Sequence, residues 1–239
     1  MRDVKLSIIV PAYNEERLIA GTLGCIREAL DGRTAEIIVC DNNSTDRTAE
    51  IARAAGAEVV FEPVNQIARA RNAGAGRASG DWLVFVDADS CPTRALFDEM
   101  TAAIGSGRCL AGGSTVAFAN PRLDVRAWVA LWNALSRAAG WAAGSFIFCE
   151  AAAFRESGGF DETLYAAEEI EFSRRMKRLV RRRRMRFVIL HRHPLHTSDR
   201  KVRLYRPLEH FAFLLRFVAT GGRSLRRREA CSIWYDGRR

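Results

Sequence analysis

The chain has 239 residues, 48% of them hydrophobic and 27% charged, and carries a formal net charge of +9. That length suits one α/β domain with a full core, or one domain plus a small appendage, of which one domain is the reading here, and the composition excludes a wholly disordered chain. No stretch reaches the roughly 20 uncharged apolar residues of a spanning helix, and residues 1–5 lead into a strand-like run without a signal-peptide core, so a cytoplasmic protein is expected.

In chain order, the apolar β-branched run at 6–10 (LSIIV) reads as a buried strand, and Asn14 offers an N-cap for a helix over 15–30. A second strand covers 36–40. A helix over 45–55 follows Ser44 and stops before Gly56, and a further strand covers 57–61. Next come a helix over 67–78, stopped at Ser79-Gly80, and the third principal strand at 82–86 (WLVFV). Strands alternating with helices make a parallel, right-handed βαβ sheet. Beyond it the pattern predicts a helix over 93–104, a strand over 109–119 and a helix over 121–139 with Pro121 in its first turn. A Gly and Ala loop at 140–145 then leads to a strand at 146–149, a short helix over 151–157 and a turn at Gly158-Gly159-Phe160-Asp161-Glu162. A helix over 168–179 follows, its acids crowding the N-terminal end. The apolar run 187–190, a loop at 191–196 (HRHPLH) and a nearly all-apolar helical pattern over 208–219 complete the series. The six cysteines, Cys25, Cys40, Cys91, Cys109, Cys149 and Cys231, show no C-x-x-C spacing, which indicates neither a zinc site nor a disulfide framework; reduced thiols are expected.

The three principal strands end in Pro11-Ala12-Tyr13-Asn14-Glu15, Asp41-Asn42-Asn43-Ser44 and Asp87-Ala88-Asp89, which gathers polar groups at the carboxyl edge of the sheet, where open α/β sheets bind ligands. The first turn has no G-x-G-x-x-G and the chain no G-x-x-x-x-G-K-[ST], which argues against a dinucleotide fold and a P-loop. Two carboxylates one residue apart at the end of a buried strand suit a divalent metal held against a phosphate.

Taken together, S-I-I-V-P-A-Y-N-E-E, D-N-N-S-T-D, A-R-N-A-G, D-A-D-S, and G-G-F-D-E followed by E-E-I-E and Arg174 resemble the family 2 glycosyltransferases, in order from Ser7 to Arg174. The resemblance implies an α/β GT-A fold of the nucleotide-diphospho-sugar transferase type, with a mostly parallel central sheet flanked by helices. It also implies a metal-dependent inverting transfer of a sugar from a nucleoside diphosphate, UDP ahead of GDP, to a hydroxyl acceptor. By that resemblance Pro11, Ala12, Tyr13, Glu15 and Asp41 hold the nucleotide, Arg71 faces the donor diphosphate, and Asp87 with Ala88 meets the donor. Asp89 ligates Mg2+ or Mn2+, joined by a late histidine, His196 ahead of His193. Glu168 and Glu169 match a Glu-Asp pair whose second member deprotonates the acceptor hydroxyl. Glu169 is therefore the expected base, with Glu168 the fallback and Glu171 outside the chemistry.

The basic excess is concentrated between 174 and 206, where Asp199 is the only acid. Beside the apolar pattern at 208–219, with Trp128 and Trp132 at i,i+4 spacing, it suits attachment to an anionic membrane on its inner face and a lipid-linked or cell-envelope acceptor. A nucleic-acid binder would share the charge, yet Asp41, Asp87, Asp89 and Glu169 would repel that ligand, so no nucleic-acid partner is expected. A haloacid-dehalogenase-like phosphatase would carry its D-x-D after the first strand, and a GT-A-like nucleotidyltransferase would open on a Gly-rich, Arg-Lys segment. The expected domains are a catalytic unit over 1–200, divided into a nucleotide half (1–108) and an acceptor half (109–200), and a basic and apolar extension over 201–239.

Overall fold

The computed structural model describes residues 4–118, 123–198 and 223–231, apart from the side chains of 123, 124, 223 and 224. The helical pattern over 208–219 and the start of the 121–139 helix lie outside the described residues.

Eight strands form one sheet: β1 (Leu6–Ala12), β2 (Ala35–Asp41), β3 (Glu58–Phe61), β4 (Trp82–Val86), β5 (Ser90–Cys91), β6 (Cys109–Phe118), β7 (Phe146–Glu150) and β8 (Arg186–Thr197), in the order β3-β2-β1-β4-β7-β6-β8-β5. The strands β3-β2-β1-β4 run parallel, while β7 pairs antiparallel with both β4 and β6. Further out, β8 pairs parallel with β6 and antiparallel with β5. Four strand spacings separate β4 from β5 in that order, about 19 Å in a flat sheet, yet the four steps from Val86 to Ser90 reach at most about 14 Å. The sheet therefore curls, and its far edge returns over the carboxyl end of β4.

Helices α1 (Ile19–Leu30), α2 (Thr48–Ala54) and α4 (Arg94–Gly105) cover one face, with Leu23, Ile26, Phe97 and Met100 packed on Ile8, Val10, Val84 and Val86. Helices α3 (Ile67–Arg77), α6 (Ala151–Ser157) and α7 (Glu168–Arg183) cover the other, where Phe85, Phe154, Phe160 and Phe172 stack with centroids 4.6–5.8 Å apart. Gly74 permits the close approach of α3, since a Cβ there would lie 2.5 Å from Ile9 Cγ2. Helix α5 (Leu123–Ala139) runs beside β6, pinned by Asn133, whose amide bonds both the N–H and the carbonyl of Val116.

Several expectations need correction. Helix α1 begins at Ile19, because Asn14 sits at φ 51, outside the extended region an N-cap uses, and its side chain accepts from Thr45 N–H. Helix α2 begins at Thr48, where the carboxylate of Asp46 accepts the Thr48 N–H in place of Ser44. The 191–196 segment lies within β8. Between the pairs Ser114↔Leu190 and Val116↔Leu195, β8 advances five residues against two on β6, so the extra residues bulge outward around Pro194. The arginines at 181–183 continue α7. Cys25 and Cys91 are joined in a disulfide, which overturns the expectation that all six thiols are reduced; the pairing links positions 66 residues apart and leaves no local spacing to read.

Candidate active site

The carboxyl ends of β1, β2 and β4 bring together the residues singled out in the sequence. The first two loops are sewn to each other: Asn14 N–H donates to Ser44 Oγ (3.0 Å), Glu15 N–H to Thr48 Oγ1 (2.7 Å) and Glu16 N–H to Asp46 Oδ2 (3.1 Å). In the second loop, Asp41 Oδ1 accepts from Ser44 N–H at 3.1 Å. Asp41 and Glu15 are both buried, Tyr13 is half-buried, and Pro11 and Ala12 close the end of β1.

Arg71 lies at the centre. Only 1% exposed, it projects from α3 between β4 and α7; Nη1 donates to Glu168 Oε1 (2.7 Å), and Nη2 to Gly144 O (2.7 Å) and Asp87 Oδ1 (3.2 Å). Its plane lies over the Phe160 ring at 5.2 Å, and Nε is buried without a hydrogen-bond partner among the described residues. Gly144 makes the approach possible, since a Cβ there would meet Nη2 at 3.2 Å. Burial pushes the Arg71 pKa down, but Asp87, Glu168 and Glu169 outweigh it and hold the group above its usual value. The arginine expected to face the diphosphate thus contacts the acids that flank the site.

Glu168 and Glu169 open α7. Ala167, the residue before them, has φ 60 and no side-chain cap, a left-handed conformation that costs an L-residue roughly 1–2 kcal/mol. Glu168 is buried against Arg71, and Glu169 beside it is half-buried. Burial and the Glu168 carboxylate push Glu169 up to about 8 against the pull of Arg71. Asp87, Glu168 and Glu169 set three carboxyl groups against one guanidinium. Glu171 is engaged by Arg175 one turn on, away from this cluster.

The Asp87-Ala88-Asp89 turn is held from both sides. From the sheet, Asp87 N–H donates to Ser145 O (3.2 Å) and Ser198 N–H to Asp89 O (3.1 Å), with Thr197 Oγ1 within 3.5 Å of Asp89 Oδ1. From α1, Thr22 Oγ1 donates to Ala88 O at 2.7 Å, and Cys25 bonds Cys91. His196 stands opposite Cys91 in the β5–β8 ladder, and its strand neighbour Thr197 makes the contact to the Asp89 carboxylate. His193 is exposed on the bulge. No group of three or more His, Cys, Asp or Glu able to enclose a metal occurs among the described residues. The hard oxygens of Asp87 and Asp89 and the surplus of carboxylates fit a Mg2+ or Mn2+ ion that takes most of its ligands from water and phosphate.

Sequence reading passed over several groups that build this site. Asn72 fixes the Gly158-Gly159-Phe160 turn, its Oδ1 accepting from Phe160 N–H (2.8 Å) and its Nδ2 donating to Phe160 O (2.9 Å) and Glu162 Oε1 (2.9 Å). Gln66 Nε2 donates to the carbonyls of Glu162 (2.7 Å) and Leu164 (2.9 Å). The A-R-N-A-G motif itself was the available signal for Asn72. Nothing local marks Gly144, Ser145, Thr22 or Cys25.

A curled sheet with carboxylates gathered over its parallel strands is the GT-A architecture, and solved structures share it. The mannosyltransferase PcManGT of Pyrobaculum calidifontis, in complex with GDP-Man and Mn2+, aligns with TM-score 0.65 at 20% identity over 95% of this chain and 64% of its own. Glucosyl-3-phosphoglycerate synthase of Mycobacterium tuberculosis, in complex with Mn2+, UDP and glucosyl-3-phosphoglycerate, gives 0.61 at 20% identity over 96% and 80%. Residues 7–158, more than half of the chain, match the profile of Glycosyl transferase family 2, and the chain belongs to that family. In sequence it is 34% identical over 119 residues to the dolichol-phosphate mannosyltransferase of Pyrococcus furiosus, covering 46% of this chain and 33% of the relative. The matches span about a third of the length of the first curated relatives (36%, 33% and 32%).

Proposed function

We propose that this chain transfers a sugar from a nucleoside diphosphate, UDP ahead of GDP, to a hydroxyl acceptor with inversion at the anomeric carbon. The observation that carries this reading is the acid cluster around buried Arg71, with Glu169 at its open side. Glu168 is committed to the guanidinium and Glu169 is not, which makes Glu169 the base that takes the acceptor proton. The sewn loops after β1 and β2 offer Tyr13, Glu15 and Asp41 to the base and ribose, a carboxylate there accepting an imide N–H. Asp87 and Asp89 would hold Mg2+ or Mn2+, which, when bound, neutralises charge on the departing diphosphate. Arg71 orients Asp87 and Glu168. Thermal-shift titration with UDP, GDP and their sugars tests the reading: stabilisation by a nucleotide that grows with Mn2+ is expected, and Asp89→Asn should abolish the metal-dependent part. No stabilisation by any nucleotide, with or without metal, overturns it.

A peripheral position on the inner face of a membrane, with a lipid-linked acceptor, is part of the same proposal. No helix among the described residues is long and apolar enough to cross a bilayer. Instead α5 turns Trp128 (63% exposed), Leu131 (51%) and Leu135 (49%) outward on one face. Lys177 Nζ donates to Ala139 O (2.6 Å) and Arg174 lies 5.9 Å over Trp141, which brings basic residues of α7 to the C-terminal end of α5. Co-flotation with anionic liposomes at low salt is expected; its absence removes the membrane reading and leaves the transfer reading intact.

A further inference from the structure

Apart from one covalent link, the turn that carries Asp87 and Asp89 is held by hydrogen bonds and one ion pair. Strand β5 is two residues long, and its ladder to β8 consists of Ser90↔Thr197 and Cys91↔His196. The firm anchor is α1, whose Leu23, Ile26, Ala29 and Leu30 are buried in the core. From one face of this helix, three residues apart, Thr22 bonds Ala88 O and Cys25 bonds Cys91. The disulfide is the covalent link between that anchor and the metal-side turn.

We propose that the Cys25–Cys91 disulfide is a redox-responsive tether that positions the Asp87-Ala88-Asp89 turn for the donor diphosphate and its metal, so that opening it weakens donor binding reversibly; this rests on the donor-site reading above. Cys91 is exposed and Cys25 half-exposed, so a thiol in solution reaches the pair. The other four cysteines, Cys40, Cys109, Cys149 and Cys231, are buried. Burial pushes Cys40 and Cys109 up to about 12 and Cys231 up to about 11, and raises Cys149 as well, which leaves them poor partners for exchange. Exposed disulfides are the labile and regulatory ones, and in a reducing compartment those that occur are usually redox-active.

The chemistry balances with a dithiol reductant. Its thiolate attacks one sulfur of the pair, the S–S bond breaks, and the other cysteine leaves as a thiolate that takes up a proton. The second thiol of the reductant then closes its own disulfide and releases the remaining cysteine as a thiol. Two electrons and two protons have passed to the protein, and the dithiol is oxidised. The reduced turn keeps its bonds to Thr22 and to β8 but loses its covalent hold on α1. Binding the donor must then order the turn, and that cost falls on affinity more than on the chemical step.

The test compares oxidised wild type, wild type in dithiothreitol, and Cys25→Ser/Cys91→Ser, using UDP with Mn2+ as the probe in calorimetry, hydrogen exchange on the same samples, and steady-state transfer. Reduction should weaken UDP·Mn2+ binding by about tenfold, the scale of ordering a short loop, and should raise donor KM with kcat nearly unchanged. Amides of the 87–91 turn should exchange faster while those of β1 do not, and the double variant should match the reduced protein and ignore dithiothreitol. Equal UDP·Mn2+ affinity in both redox states, with binding intact, overturns the tether alone, because a purely structural staple would change the melting temperature without that split. A dithiothreitol response that persists in the double variant overturns it too. Failure of UDP to bind in either state removes the donor-site reading and the tether with it.

Discussion

On the β1–β2 side of the site, Tyr13, Glu15 and Asp41 sit in loops fixed by bonds from backbone N–H groups to short side chains, three of them between partners about 30 residues apart and one, Ser44 N–H to Asp41, within the second loop. On the α7 side, Glu168 is held across 97 residues by one buried guanidinium, which also reaches Asp87. The first arrangement distributes its support over many neutral or singly charged bonds, each of modest net value. The second concentrates it in one cation facing three acids, where removing a single group uncovers buried charge. The two sides should therefore fail differently when perturbed.

The largest effect is expected at Glu169. Its folded-state pKa of about 8 lies above the ordinary 4.5, so the folded chain binds this proton more tightly than the unfolded chain does. The stability this contributes is fully present below the unfolded value and is lost as pH rises through about 8. A base must be unprotonated to act, so kcat/KM should climb through the same window. Glu169→Gln should lower transfer by roughly 10²- to 10⁴-fold, abolish that limb of the pH profile, keep UDP·Mn2+ binding, and lose less melting temperature than wild type between pH 6 and 9. A variant that remains fully active places the base elsewhere.

Next in size is Arg71→Met, which strands Glu168 and Asp87 beside Glu169. It should cost about 3–5 kcal/mol in urea unfolding at pH 7.5. The matched change on the other side, Asp41→Asn, retains an oxygen for Ser44 N–H and should cost about 1 kcal/mol or less. Equal losses for the two variants would erase the contrast between the two sides.

The same contrast decides what the sequence disclosed. Strand ends and the carboxylates on them follow from local pattern: 82–86 was predicted as a strand and is one, and Asp87 and Asp89 lie at its carboxyl end. The strands β1, β2 and β4 are legible because burial on both faces makes them continuous apolar runs. The Arg71 cluster was legible only as separate motif residues, since nothing in A-R-N-A-G says that its arginine turns toward Glu168 and Asp87. The Cys25–Cys91 bond was hidden for a like reason: it joins a helix to a two-residue strand that has no pattern of its own. Asn14 misled because an asparagine before a helical pattern serves equally as an N-cap or as a left-handed turn residue, and here it is the latter.

The smallest expected effect concerns those left-handed positions. In the loops after β1 and β2 they fall on Asn14 (φ 51) and Asn43 (φ 65), a residue type that visits this region routinely. Before α7 the position falls on Ala167 (φ 60), which has no polar side chain to repay it. Ala167→Gly relieves the strain while adding freedom to the unfolded chain, and the first term is the larger, so it should raise stability by about 0.5–1 kcal/mol. Asn14→Gly meets no strain to relieve and forfeits the acceptor that holds Thr45 N–H, so it should lower stability by about 1 kcal/mol. Thermal unfolding of the two variants reads the opposite signs directly. If Ala167→Gly stabilises but also lowers kcat, the strain is holding Glu169 in its working position; if kcat is unchanged, the helix start is set by the Arg71–Glu168 pair alone.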